Sequence, residues 1–207
     1  MEMPKIYKDS DVDISLIQSK KIGIVGFGNQ GRAQALNLKV SGMDVYIGVR
    51  GGSSSRNREE SEGLQYCSIP EILGYCDIIS LLVPDQAMGQ VYQAEIEPFL
   101  KKGQTLLFSH GYNIHYGVIH PPEFINVVMA APSGAGSELR KQYKAGKGIP
   151  GLFAIEQNFS KDSRALLLSY CKAIGLTCMG VFESTFKEET ETDLFGEQMI
   201  LTGGVPK

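Results

Sequence analysis

Gly26-Phe27-Gly28-Asn29-Gln30-Gly31 constrains this chain more than any other stretch. It follows Lys21-Ile22-Gly23-Ile24-Val25, a run that reads as a buried strand, and it precedes Arg32 to Lys39, which suits a helix. A G-x-G-x-x-G pattern between a strand and a helix opens a βαβ unit that binds a dinucleotide. Each glycine has a mechanical task. Gly26 permits the tight turn, Gly28 lets a pyrophosphate approach the backbone, and Gly31 lets the helix pack closely on the strand. The helix then turns its bare N–H groups and positive dipole end toward the phosphates. Gly26, Phe27, Gly28, Asn29, Gln30 and Gly31 are therefore the first cofactor-binding candidates.

Beyond the fingerprint, strand-like and helix-like segments alternate, which predicts a mostly parallel sheet covered on both faces. Strands are expected at Asp44–Val49, Asp77–Val83, Gln104–Phe108, Asn126–Ala130, Gly151–Ile155 and Thr177–Phe182. Helices are expected over Ile69–Tyr75, Gln86–Leu100 and Lys161–Ala173. The fold class is α/β, a Rossmann-like doubly wound sheet, and 207 residues suffice for one such domain with a short remainder. The net charge of −3 carries no basic footprint, which argues against a nucleic-acid partner. No apolar run is long enough to span a bilayer and the first residues do not resemble a signal peptide, so a cytoplasmic location without a membrane partner is expected. Cys67, Cys76, Cys171 and Cys178 lack C-x-x-C spacing and read as reduced packing residues.

The end of the second strand bears on which dinucleotide is taken. Proteins that bind NAD place an acidic residue there for the ribose 2′-hydroxyl. This chain has Val49-Arg50-Gly51-Gly52-Ser53-Ser54-Ser55-Arg56, with no carboxylate before Glu59. Arg50, Arg56 and the serine hydroxyls suit a 2′-phosphate through charge-assisted hydrogen bonds, so NADP(H) is expected over NAD, with Arg50, Ser53 and Ser55 as its contacts.

Residues 184–207 differ in character from residues 1–183. Glu189, Asp193 and Glu197 fall at four-residue spacing on a predicted helix, so the three carboxylates share one face. A solvated acidic face or a site for a hard cation such as Mg²⁺ both fit that stripe.

Several separate motifs together resemble the ketol-acid reductoisomerases. They are the glycine fingerprint; Arg50 with Gly52-Ser53-Ser54-Ser55; Leu82-Val83-Pro84-Asp85; Ser109-His110-Gly111-Tyr112-Asn113-Ile114-His115-Tyr116; Ala131-Pro132; and Glu183 through Gln198. The resemblance implies an NADPH- and Mg²⁺-dependent rearrangement of a 2-acetohydroxy acid followed by reduction of the 2-keto acid. It implies that Pro84, Asp85, Pro132, Gly134 and Gly136 join the cofactor contacts, that His110 is catalytic, and that Asp193 and Glu197 ligate magnesium. His115 and His120 are expected in structural or surface roles.

Two departures from the family pattern set further expectations. Where the family has A-P-K-G-P-G-H, this chain has Ala131-Pro132-Ser133-Gly134-Ala135-Gly136-Ser137, so Ser133 stands at the lysine position. The family also continues into a helical domain with further metal ligands, whereas this sequence ends at Lys207. The expectation is a truncated homologue that binds NADP(H) and is impaired in the full isomeroreduction alone. A reductase of simpler 2-keto acids, one half of a split enzyme, and a non-catalytic NADP-binding regulatory protein are the alternatives. The terminal helix can fold back on the Rossmann domain, pair with a second copy as a homo-oligomer, or fray.

Overall fold

A computed structural model describes residues 5–49 and 63–201, with side chains as far as residue 196. Nine strands form one sheet: β1 (Ile6–Tyr7), β2 (Lys21–Val25), β3 (Asp44–Val49), β4 (Gln65–Ser68), β5 (Ile78–Leu81), β6 (Thr105–Phe108), β7 (Asn126–Pro132), β8 (Gly151–Gln157) and β9 (Val181–Glu183). Their spatial order is β1-β9-β8-β7-β6-β5-β2-β3-β4. From β4 across to β7 every pairing is parallel; β8 runs antiparallel to β7, and β1 antiparallel to β9. Successive strands are added outward from β2 toward β4 and then from β5 toward β7, so the strand order switches between the parallel neighbours β2 and β5, which opens a crevice at their carboxyl ends.

The central strands are apolar throughout because helices cover both their faces. Alternation along each strand divides the core in two. Leu107, Val128 and Ala130 point to one side with Ile22 and Ile24. Leu106, Phe108, Val127 and Met129 point to the other. The helices are α1 (Ser15–Gln18), α2 (Asn29–Val40), α3 (Ile69–Tyr75), α4 (Asp85–Val91), α5 (Tyr112–His115), α6 (Gly136–Lys144), α7 (Ser163–Ile174) and α8 (Phe186–Leu201). The first side is closed by α2, α6 and α7, and the second by α3 and α4. Helix α3 starts on a capping box in which Ser68 and Glu71 satisfy each other's backbone N–H groups.

Most of the expected elements are present, and several differ. The helix expected over Gln86–Leu100 is α-helical only to Val91, then passes through a π turn at Tyr92–Ile96 and a 3₁₀ turn at Glu97–Phe99. Pro98 lacks the N–H that a continuing helix needs. Strands β1 and β4 and helices α1, α5 and α6 are additional to the expected elements, and the strand expected over Thr177–Phe182 is confined to Val181–Glu183 after a turn at residues 177–179. Cys178 is exposed, whereas Cys76 and Cys171 are buried and Cys67 is partly so. Among the described residues no helix is long and apolar enough to cross a membrane.

Helix α8 folds back onto the sheet at its start. Phe186 is buried and meets Phe108 edge to face at 6.2 Å between ring centroids. Gly111 makes this possible. A Cβ there would stand 2.5 Å from the Phe186 carbonyl oxygen and 2.5 Å from Thr190 Oγ1.

Candidate functional site at the carboxyl edge

A cleft of about 630 Å³ opens along the carboxyl ends of β2, β5, β6 and β7. Gln30, from the glycine turn, lines it. Gly26 has φ of +100°, a conformation open to glycine, and a Cβ on it would lie 2.6 Å from the Leu82 carbonyl oxygen. A Cβ on Gly31 would fall 1.9 Å from the Gly26 carbonyl oxygen, so the helix can approach the turn only without a side chain. The Cβ direction at Gly28 meets no atom within 4 Å. Two glycines are thus filled against protein and the third faces open space at the N-terminus of α2, which is the cradle a pyrophosphate needs.

Of the expected cofactor contacts, Gln30, Asp85, Pro132 and Gly134 line the cleft. Gly136 packs directly behind the turn, where a Cβ would stand 2.1 Å from the Asn29 carbonyl oxygen. Phe27 turns toward Tyr66, edge to face at 6.0 Å. Pro84 caps α4 rather than lining the cleft, and Asp85 accepts a 2.9 Å hydrogen bond from the buried Asn113 Nδ2. Arg50, Ser53 and Ser55 lie outside the described residues.

His110, Glu189 and Asp193 line the same cleft. His110 follows β6, and the two carboxylates are one turn apart on α8. Glu189 is buried, and its two oxygens are both engaged. Oε1 lies 2.9 Å from His110 Nδ1, and Oε2 accepts the Gly111 backbone N–H at 2.8 Å. Asp193 Oδ2 lies 3.6 Å from His110 Nδ1, and its side chain is half exposed to the cleft. Burial opposes a charged His110. The hydrogen bond to Glu189 and the negative charges of Glu189, Asp85 and Asp193 outweigh it, so the imidazole titrates above its ordinary value. Glu189 is not among the expected catalytic and metal-binding residues, although the sequence places it on the acidic stripe four residues before Asp193.

One donor atom from each of His110, Glu189 and Asp193 lies within 4.8 Å of the others. Such a group fits part of a cation site, with Asp193 as its most accessible oxygen donor. Glu197 falls one turn further along α8, and its side chain lies outside the described ones. The described lining of the cleft holds three carboxylates and neither lysine nor arginine. Ser133, at the position of the expected lysine, is exposed, and its backbone N–H donates to the Pro150 carbonyl. His115 lies 3.8 Å from Glu191 and its ring is tilted against Tyr116, outside the cleft lining.

Comparison with known proteins agrees with this arrangement. Residues 16–180 match a family described as "Acetohydroxy acid isomeroreductase, NADPH-binding domain". The chain is 48% identical over 203 residues to the ketol-acid reductoisomerase (NADP(+)) of Methanocaldococcus jannaschii, spanning 98% of this chain and 62% of that protein. The solved NADH-preferring ketol-acid reductoisomerase of an uncultured archaeon superimposes with a TM-score of 0.92 at 42% identity, over 97% of this chain and 62% of that one. Plasmodium falciparum pyrroline carboxylate reductase with NADP bound shares the fold alone, at 20% identity and a TM-score of 0.56 over 90% of this chain and 70% of its own. The chain thus spans about three fifths of the reductoisomerases it matches, 62% in each case. With Gln30 of the fingerprint, His110 and the carboxylates of Glu189 and Asp193 lining one cleft, the chain belongs to the acetohydroxy acid isomeroreductase family and matches it through that family's NADPH-binding domain.

Proposed function

We propose that this chain binds NADPH along the carboxyl edge of its sheet and contributes to the reductive chemistry of a ketol-acid reductoisomerase. The diphosphate would rest on the amides at Gly28, Asn29 and Gln30. The 2′-phosphate would be held by Arg50 with Ser53 and Ser55. Asp193 and Glu197 would hold Mg²⁺. When bound, NADPH supplies a hydride, and Mg²⁺ polarises the oxygens of a 2-acetohydroxy or 2-keto acid. The observation that supports this reading is the His110–Glu189 pair, which shares a cleft with Gln30 of the glycine turn.

The role of His110 follows from its surroundings. Glu189 binds Nδ1 and leaves Nε2 as the nitrogen able to exchange a proton with a substrate oxygen. The same carboxylate favours the protonated ring, so the histidine is poised as the acid that completes reduction of a carbonyl. The core cluster that contains Phe108 and Phe186 anchors the start of α8, and the pair is largely shielded from water.

A second reading is favoured by one observation, the absence of lysine and arginine from the described cleft lining together with Ser133 at the lysine position. Alkyl migration builds negative charge that a cation would stabilise, whereas reduction of a 2-keto acid requires a hydride and a proton donor. On this reading the chain reduces 2-keto acids more readily than it isomerises acetohydroxy acids. Parallel assays of NADPH oxidation with 2-acetolactate and with a simple 2-keto acid, both with Mg²⁺, decide between them. Turnover of the keto acid alone supports the reductase. Efficient turnover of acetolactate by this chain rejects impairment, and oxidation with neither substrate counts against catalysis by the chain alone.

A further inference from the structure

A buried chain of hydrogen bonds runs from the middle of the sheet to the cleft wall, and of the residues assigned above it uses Gln30 and Gly134. Ser80 on β5, Tyr170 on α7 and Gln34 on α2 are fully buried. Ser80 Oγ lies 3.3 Å from Tyr170 Oη, which lies 2.8 Å from Gln34 Oε1. Gln34 Nε2 lies 2.8 Å from Ser109 Oγ and 3.3 Å from Gln30 Oε1. Gln30 Nε2 donates in turn to the Gly134 carbonyl at 2.9 Å.

That last contact sets the direction of every proton in the chain. A backbone carbonyl can only accept, so the amide of Gln30 must turn its nitrogen to Gly134 and its oxygen to Gln34. Gln34 must then present its nitrogen to Gln30 and Ser109, and its oxygen to Tyr170. The single hydrogen of Tyr170 goes to that oxygen, which leaves Ser80 as the donor to Tyr170. Ser109 Oγ accepts from Gln34, and its own hydrogen has no acceptor among the described residues. Ser109 lines the same cleft as Gln30 and His110.

Its position selects the ligand. One nitrogen of Gln34 reaches both Ser109 and Gln30, and Gln30 belongs to the fingerprint turn, so Ser109 lies on the nucleotide side of the cleft. From a diphosphate at the α2 N-terminus, the dinucleotide must continue past this point toward His110, and its next portion is the nicotinamide nucleoside. We propose that the Ser109 hydroxyl donates a hydrogen bond to an acceptor oxygen of that nucleoside, either a ribose hydroxyl or the carboxamide oxygen, with Gln34 and Tyr170 as positioning residues. The inference rests on the NADPH reading above. It adds a contact at the reacting end of the cofactor to those at the phosphates.

Three ligands separate the outcomes: NADPH; 2′-phosphoadenosine 5′-diphosphoribose, which keeps the ribose but lacks the nicotinamide; and adenosine 2′,5′-bisphosphate, which lacks both. Calorimetric titration of Ser109→Ala should show NADPH weakened about five-fold, as for one neutral hydrogen bond, with the bisphosphate unchanged. Parallel weakening of the diphosphoribose identifies the ribose as acceptor, and an unchanged diphosphoribose identifies the carboxamide. Tyr170→Phe should reproduce the same ligand-selective loss, and the double variant should lose no more than Ser109→Ala alone. NADPH binding unaffected by Ser109→Ala, or equal weakening of all three ligands, would overturn the proposal and leave the nucleotide reading in place. Failure of the unaltered chain to bind NADPH would remove the nucleotide reading and this contact together.

Discussion

Glu189 Oε1 lies 2.9 Å from His110 Nδ1, so a buried carboxylate from α8 favours the charged form of a histidine placed by the sheet. The same carboxylate accepts the Gly111 N–H, which fixes its rotamer from the opposite side. This double engagement couples the position of α8 to the chemistry of His110.

Removing the charge should therefore be visible in the titration of the ring. In metal-free buffer, NMR of the unaltered chain should place the His110 pKa above the ordinary 6.5, and Glu189→Gln should bring it down. Because the folded pKa is the higher one, the pair stabilises the fold fully below the unfolded value. That contribution fades as pH rises through the folded value. A His110 pKa that does not respond to Glu189→Gln would contradict the assigned contact.

Phe186 makes the same coupling mechanical. Replacing a buried phenylalanine with alanine costs about 3–5 kcal/mol where the site cannot collapse. Phe186→Ala should lower the thermal midpoint and, by loosening α8 from Gly111, shift the His110 pKa toward its ordinary value. A variant that loses stability while the titration stays fixed would show that Glu189 is held by contacts other than this anchor.

The three fingerprint glycines should respond differently to alanine. Gly31→Ala places a Cβ 1.9 Å from a backbone oxygen, so folding and nucleotide binding should fail together. Gly28→Ala meets no protein atom within 4 Å at a negative φ, and its stability should stay within about 1 kcal/mol of the parent. Its NADPH affinity should nevertheless fall at least about ten-fold, because the methyl group occupies phosphate space. Thermal denaturation and titration of both variants check the pair, and a Gly28→Ala protein that binds normally would place the phosphates elsewhere.

Arg50 tests the choice between the two nicotinamide cofactors, which carries weight because one 42%-identical relative is described as NADH-preferring. Arg50→Asp should weaken NADPH by about 10- to 100-fold, the range of a lost charge-assisted contact, and change NADH little. Equal effects on both cofactors would remove Arg50 from 2′-phosphate recognition.

Much of this was legible in the sequence because its signals were local. The fingerprint is a positional code in which neighbouring residues have separate mechanical tasks, and the apolar runs at β5, β6 and β7 announce strands covered on both faces. The acidic stripe was legible as a stripe but not as a division of labour. Spacing puts Glu189 and Asp193 on one face, yet only packing against Gly111 turns Glu189 inward and leaves Asp193 half exposed. The Gln34–Tyr170 link spans 136 residues, and nothing in either segment advertises a buried polar partner. The antiparallel course of β8 was equally hidden, since an apolar run does not record its direction.

The nucleotide cradle underlies every role assigned to the cleft, and titration of the unaltered chain with NADPH tests it most directly. Saturable one-to-one binding with a micromolar or tighter Kd is the predicted result. No binding at millimolar NADPH would contradict it.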